Sequence, residues 1–164
     1  IDKDGWFHTG DMARITDKGQ VVICGRIKSL FKTSNGKFIN PESLESKICE
    51  SKLIDTAVVV GEGQKFAAAL IVPDFNNLKP WCNKNNVKYT NPQEIIKNQE
   101  VRQLYWKEVE SYNTFFGATE KIKKIELIAD EWTPQNGILT PTLKVKRNEI
   151  NKRYKEIIDE MFNS

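Results

Sequence analysis

Two apolar runs, residues 56–60 and 66–72, lie in the first half of the chain, and the turn Gly61-Glu62-Gly63 falls in the gap between them. Apolar residues that run on without alternating with polar ones mark a strand covered on both faces. The pair therefore predicts two antiparallel strands in a buried sheet, and the rest of the chain has to cover it. With 164 residues, 39% of them hydrophobic, the chain can bury one moderate core, or one domain with a short appendage.

Upstream, residues 12–16 and 20–24 flank Asp17-Lys18-Gly19 and read as a hairpin. A short polar junction, Gly25-Arg26-Ile27-Lys28, follows, and the domain boundary is set at Lys28. Residues 29–33 and 37–39 read as two short strands around Ser34-Asn35-Gly36, because Asn-Gly favours a tight turn. Asn40-Pro41-Glu42 opens a helix to about Ser51: Asn accepts from orphan amides, Pro suits the first helical position, and Leu44, Ile48 and Cys49 share a face.

Helices are predicted over residues 74–84 and 92–98. A longer one over 98–116 carries the stripe Val101, Leu104, Tyr105, Val109, Tyr112, Phe115 and Phe116, whose spacing is that of core packing. Residues 122–128 alternate as a last strand, and 132–142 form a loop punctuated by Pro134, Gly137 and Pro141. One final amphipathic helix carries Ile150, Tyr154, Ile157, Ile158 and Met161. The resulting fold class is α+β: a small mixed or antiparallel sheet with packed helices over residues 28–164, preceded by a β-hairpin segment over 1–27.

Twenty-five basic and 22 acidic residues are interspersed rather than blocked, so the charge reads as a solvated surface and no nucleic-acid partner is expected. Cys24, Cys49 and Cys82 are odd in number, far apart and in no CxxC array, which points away from a disulfide framework or zinc site and towards reduced thiols in a cytoplasmic setting. His8 is the only histidine, so no site needing two imidazoles can be built. No apolar run approaches the roughly 20 residues of a membrane span, and no signal-peptide layout opens the chain. The first residue is Ile1, and the abrupt opening suggests a fragment whose upstream part was cut away, or processing.

Three patches carry chemistry suited to a nucleotide. Gly10-Asp11 offers a carboxylate able to accept from two vicinal hydroxyls; Gly25-Arg26 offers a planar donor; residues 140–147 offer the cations Lys144, Lys146 and Arg147 on a flexible loop. Each alone is weak, since an Asp of this kind more often serves a turn or the surface.

Their order and context say more. Gly5-Trp6-Phe7-His8-Thr9-Gly10-Asp11, Gly25-Arg26-Ile27-Lys28, Gly36-Lys37-Phe38-Ile39-Asn40-Pro41-Glu42-Ser43-Leu44-Glu45 and Leu139-Thr140-Pro141-Thr142-Leu143-Lys144-Val145-Lys146-Arg147 together resemble the adenylate-forming superfamily of acyl-CoA synthetases, luciferases and peptide-synthetase adenylation domains. The form of the last motif, and the helical stretch around residues 92–116, are similar to long-chain fatty-acid–CoA ligases.

The resemblance implies a two-step reaction in which a carboxylate attacks the α-phosphate of ATP, giving acyl-adenylate and pyrophosphate, after which the thiol of coenzyme A displaces AMP. It implies that Asp11 holds the ribose hydroxyls, that Arg26 contacts the same side of the nucleotide, and that Lys28 is the hinge of a lid formed by residues 28–164. Lys144 would be the catalytic lysine of adenylation, a compact cation between two anions. Lys32 would approach the nucleotide, while Gly36, Lys37 and Phe38 would lie along the coenzyme A tunnel or beside the adenine. No metal site is expected in this stretch; Mg2+, the phosphate loop and the acyl pocket would belong to a large amino-terminal domain, the lid's main partner, and the stretch alone would be inactive. The longer enzyme would be cytoplasmic or peripheral at a membrane. Two alternatives remain at this point: the lid of another adenylating enzyme, such as an aryl-CoA ligase or peptide-synthetase domain, and a non-catalytic interaction domain keeping this fold.

Overall fold

The computed structural model describes residues 1–163, with only the backbone of Cys24, so the Cys24 thiol lies outside the described residues. Strands β1 (Asp11–Ile15) and β2 (Val21–Arg26) form the expected hairpin, paired antiparallel from Asp11 opposite Arg26 to Ile15 opposite Val21, with an irregularity between Met12 and Ala13. Its turn closes through the Gly19 amide on the Thr16 carbonyl at 2.8 Å.

Beyond the hairpin, β3 (Phe31–Lys32) and β4 (Phe38–Ile39) form a two-residue ladder. The strand expected over 29–33 is shorter than the pattern suggested, because residues 27–29 wind into a single 3-10 turn closed by the Leu30 amide on the Ile27 carbonyl. Helix α1 (Pro41–Ile48) starts as expected: Pro41 occupies its first position and the Asn40 side chain accepts from the Ser43 amide at 3.3 Å.

The central sheet contains β5 (Ile54–Val60), β6 (Ala67–Pro73) and β7 (Ile122–Leu127) in that order; β6 runs antiparallel to β5 and parallel to β7. The crossover from β6 to β7 holds α2 (Phe75–Lys84), α3 (Pro92–Lys97) and α4 (Gln99–Asn113), each capped by an Asp or Asn, namely Asp74, Asn91 and Asn98. Side chains of β6 alternate between two cores. Ala67, Ala69 and Ile71 pack with α1 to α4, whereas Ala68, Leu70 and Val72 pack with Ile128, Trp132, Ile138 and the helices α5 (Arg147–Arg153) and α6 (Lys155–Asn163). The sheet is thus the middle of three layers, which is why its strands read as unbroken apolar runs.

Two further expectations are corrected. The final helix is two helices, broken at Tyr154, whose hydroxyl donates to Asp130 at 2.9 Å and accepts from the Trp132 indole at 2.9 Å; its backbone there leaves the helical range. The long helix ends at Asn113, so Phe115 falls beyond it, is exposed, and lies under the Lys47 ammonium instead of joining the stripe. The 132–142 stretch is a loop, as expected, and its Trp132, Ile138 and Leu139 are buried.

Candidate functional site

The two residues expected from separate patches, Asp11 and Arg26, face each other across the hairpin ladder. The Arg26 Nε lies 3.2 Å from an Asp11 carboxylate oxygen, with Asp11 half-buried and Arg26 exposed. Such an exposed pair is held by about 0–1 kcal/mol, so both groups can turn to a ligand at small cost. Gly10 helps fix the corner by accepting from the Ile27 amide at 2.8 Å.

Lys28 sits exposed in the 3-10 turn directly after β2, so the junction is a short ordered turn and not a loose linker. Two contacts tie it to α1: Ser29 donates to Glu42 at 2.7 Å, and Gly25, at φ +147°, abuts the Asn40 side chain so closely that a Cβ would fall 2.4 Å from its nitrogen. A cleft of about 550 Å³ opens beside this turn, lined by Lys28, Gln64, Arg147 and Asn151 among others.

The loop between β3 and β4 brings Lys32, Gly36 and Phe38 together. The Lys32 ammonium stands 5.6 Å from the centre of the exposed Phe38 ring, and Gly36 takes φ +77° to turn the chain. The loop is pinned to the β5–β6 turn by the Ser34 amide on the Gln64 carbonyl (2.9 Å) and the Gly63 amide on the Lys32 carbonyl (2.8 Å). Lys37 is exposed, its amide donating to the Thr33 hydroxyl at 3.1 Å.

Lys144 closes a small loop opposite Thr140. Leu139 bridges Val145, the Thr140 amide donates to the Lys144 carbonyl at 2.8 Å, and the Thr140 hydroxyl accepts from the Lys144 amide at 3.0 Å. Leu143 adopts φ +61° within it. The backbone is therefore ordered while the Lys144 side chain is exposed and, among the described residues, has no ion-pair partner. No hydrogen bond or ion pair among the described residues joins it to Asp11, Arg26 or Lys32.

Arg147 corrects the reading of residues 140–147 as a flexible loop that carries Lys144, Lys146 and Arg147, because it opens α5 and is held in an ion pair. Its guanidinium grips both oxygens of Glu45 at 2.7 Å and donates to the Val59 carbonyl at 3.1 Å, while Glu45 accepts from the Val59 amide at 2.7 Å. Strand β5 lies at the edge of the sheet, and these two side chains occupy both outward backbone groups of Val59, as a neighbouring strand would. Burial pushes the Glu45 carboxyl up, and Arg147 and the Val59 amide pull it back only in part. Sequence reasoning missed Glu45, although a signal was present: it closes the third motif beside the core residue Leu44, as Arg147 closes the fourth.

The model of the AMP-binding enzyme C-terminal domain matches residues 28–164. The chain belongs to the AMP-binding enzymes. Relatives of this AMP-binding domain include long-chain-fatty-acid–CoA ligase 6 of Rattus norvegicus, 32% identical over 99% of this chain and 24% of its own length, and long-chain-fatty-acid–CoA ligase 5 of Mus musculus, 34% identical over 100% and 24%. The chain thus spans about a quarter of the relatives it matches. Among solved structures, the A domain of carboxylic acid reductase from Segniliparus rugosus, in complex with AMP and a co-purified carboxylic acid, superposes with a TM-score of 0.78 at 22% identity, covering 99% of this chain and 24% of that one. That likeness carries the fold of the AMP-binding domain.

Proposed function

We propose that this chain is the carboxyl-terminal part of a long-chain fatty-acid–CoA ligase, with residues 1–27 closing a large adenylation domain and 28–164 forming its lid. The observation that carries the reading is the contrast within the last motif: Arg147 is consumed by Glu45 and Val59, while Lys144, on an ordered loop, has no ion-pair partner among the described residues. The whole-chain similarity to long-chain ligases supports the substrate class. The family match beginning at residue 28 supports the division.

In this reading ATP and a fatty acid react in the longer enzyme. A fatty carboxylate oxygen attacks the α-phosphorus, pyrophosphate leaves, and the coenzyme A thiol then displaces AMP to give the thioester. Asp11 would accept the ribose hydroxyls and Arg26 would lie against the same side; their cross-strand pairing supports a joint role. Lys144 would stabilise charge as the carboxylate and phosphate approach. Lys28 would be the hinge, and Lys32, Gly36, Lys37 and Phe38 would line the nucleotide or coenzyme A side. Mg2+ would be held by the preceding domain. The enzyme would work in the cytoplasm or at a membrane surface, where long acyl chains partition.

The test is made on the longer enzyme, with the two half-reactions measured separately. Lys144→Ala is expected to slow adenylation by about two to three orders of magnitude, the scale for one preorganised electrostatic contact, and to leave thioester formation from pre-made acyl-adenylate nearly unchanged. Equal losses in both steps would remove Lys144 from this role. The chain by itself is expected to release no pyrophosphate from ATP and palmitate above a no-protein control.

A further inference from the structure

β7 closes the sheet on the side away from β5, so its inner edge pairs with β6 and, among the described residues, its outer edge with no strand. At one end the gap is filled by the buried Asn113, whose amide nitrogen donates to the Ile122 carbonyl and whose oxygen accepts from the Ile122 amide, both at 2.9 Å. Past that point, among the described residues, no backbone–backbone hydrogen bond joins residues 123–127 to any segment other than β6.

This open edge is the floor of a groove of about 970 Å³, walled by α4 on one side and α6 on the other. Trp106 and Ile125 supply apolar surface towards α4, and Ile157 and Met161 towards α6. Its lining holds four cations against two carboxylates. Arg102 and Glu126 neutralise each other through a two-pronged contact at 2.6 and 2.8 Å. Lys97 and Lys123 are exposed and have no carboxylate partner among the described residues.

We infer that this groove accepts an extended acidic segment of a partner protein as a fourth strand beside β7. Only a peptide backbone repeats N–H and C=O groups at about 3.3 Å per residue, the spacing a sheet edge requires. A lipid headgroup could satisfy the lysines but would leave the edge unmatched. Lysines on an open edge ordinarily repel other strands. Here they make the edge selective, because a strand bringing carboxylates offsets them, whereas a basic one adds like charge in a desolvating groove.

The inference does not rest on the ligase reading and is tested on this chain. Amide exchange is followed by NMR with acetyl-(Glu-Val)5-amide and, separately, acetyl-(Lys-Val)5-amide. The acidic peptide is expected to slow exchange of outward β7 amides at least tenfold, the basic one to leave them unchanged, and the Lys97→Glu, Lys123→Glu double variant to reverse that preference. Both substitutions are on exposed side chains, so folding is retained. Three results would each overturn the inference: no protection of β7 by the acidic peptide at millimolar concentration, equal protection by both peptides, or the same amides protected without peptide in a concentration-dependent dimer. Binding to phosphatidylserine vesicles that the double variant abolishes, with no peptide effect at β7, would assign the lysines to a membrane and overturn it too.

Discussion

The hairpin β1–β2 and the sheet β5–β6–β7 are written in similar residues and end in opposite environments. Ile15, Val21 and Ile23 of the hairpin are 69–75% exposed, while Ala67 to Ile71 of β6 are 0% exposed. Trp6, Phe7 and Ile27 add to the bare apolar surface around the hairpin. An apolar surface of this kind, gathered in one region, marks an interface more than a finished fold. The sheet, by contrast, has a layer on each face, and side chains satisfy its edges at Val59 and at Ile122, leaving the rest of the β7 edge open among the described residues. In this chain, then, strand propensity makes the hairpin, while burial and edge-filling stabilise the sheet.

The largest effect that could break this contrast is expected from Arg147→Ala. It strands the Glu45 carboxylate in a mostly buried site and removes a donor from the Val59 carbonyl, so urea unfolding should register a loss of about 3–5 kcal/mol. A loss under about 1 kcal/mol would mean the pair behaves as a surface ion pair. Asn113→Ala comes next. Two backbone groups of Ile122 lose their partners in a buried position, for an expected loss of about 2–3 kcal/mol. A smaller loss would mean that water reaches this edge.

Local signals were the legible ones. Asn40-Pro41 marked the start of α1 because cap and first-turn preferences act within four residues. The turn at Gly36 and the two unbroken strands were legible for the same reason. The Glu45–Arg147 grip was not, because it joins residues 102 positions apart, which neither periodicity nor capping can register. The parallel direction of β7 was hidden as well, since alternation reports faces and not direction. The apolar spacing from Ile150 to Met161 continues through Tyr154, so the break there follows from the contacts of the Tyr154 hydroxyl with Asp130 and Trp132. In the candidate site, residue chemistry marked the patches around Asp11, Arg26 and residues 140–147, and the family resemblance picked out Lys144 among the loop cations, but the register that sets Asp11 opposite Arg26 belongs to the ladder.

A smaller effect should appear at alkaline pH. Burial pushes the Cys49 thiol to about 11 in the fold, from 9.0. The folded state therefore holds its proton where the unfolded chain has lost it. The sign follows: this contribution is constant below pH 9 and stability falls as pH rises from 9 towards 11, by at most about 2 kcal/mol once partial exposure is discounted. Urea titrations of the chain and of Cys49→Ala should diverge only in that window, with the variant less sensitive to pH. Parallel curves would mean that the thiol is solvated, and the packing of α1 against the sheet would have to be looser than the structure has it.

The smallest effect, that of Ile23→Ala, gives the most direct test of the contrast when set beside Ile71→Ala. Ile23 and Ile71 are both isoleucines in antiparallel strands, one exposed and one fully buried between α1 to α4 and the sheet. Ile71→Ala should lose about 2–5 kcal/mol, because the deleted atoms leave a cavity the core cannot fill. Ile23→Ala should change stability by less than about 0.5 kcal/mol, as for surface positions in general. Amide exchange should follow the same division, with residues 21–28 exchanging by local opening and β6 only by global unfolding. If Ile23→Ala instead cost as much as Ile71→Ala, or if the hairpin amides were as slow as those of β6, the hairpin would be held by a packed core of its own. In that case residues 27–29 could not act as a hinge between two bodies, because the turn at Lys28 would lie inside one cooperative unit.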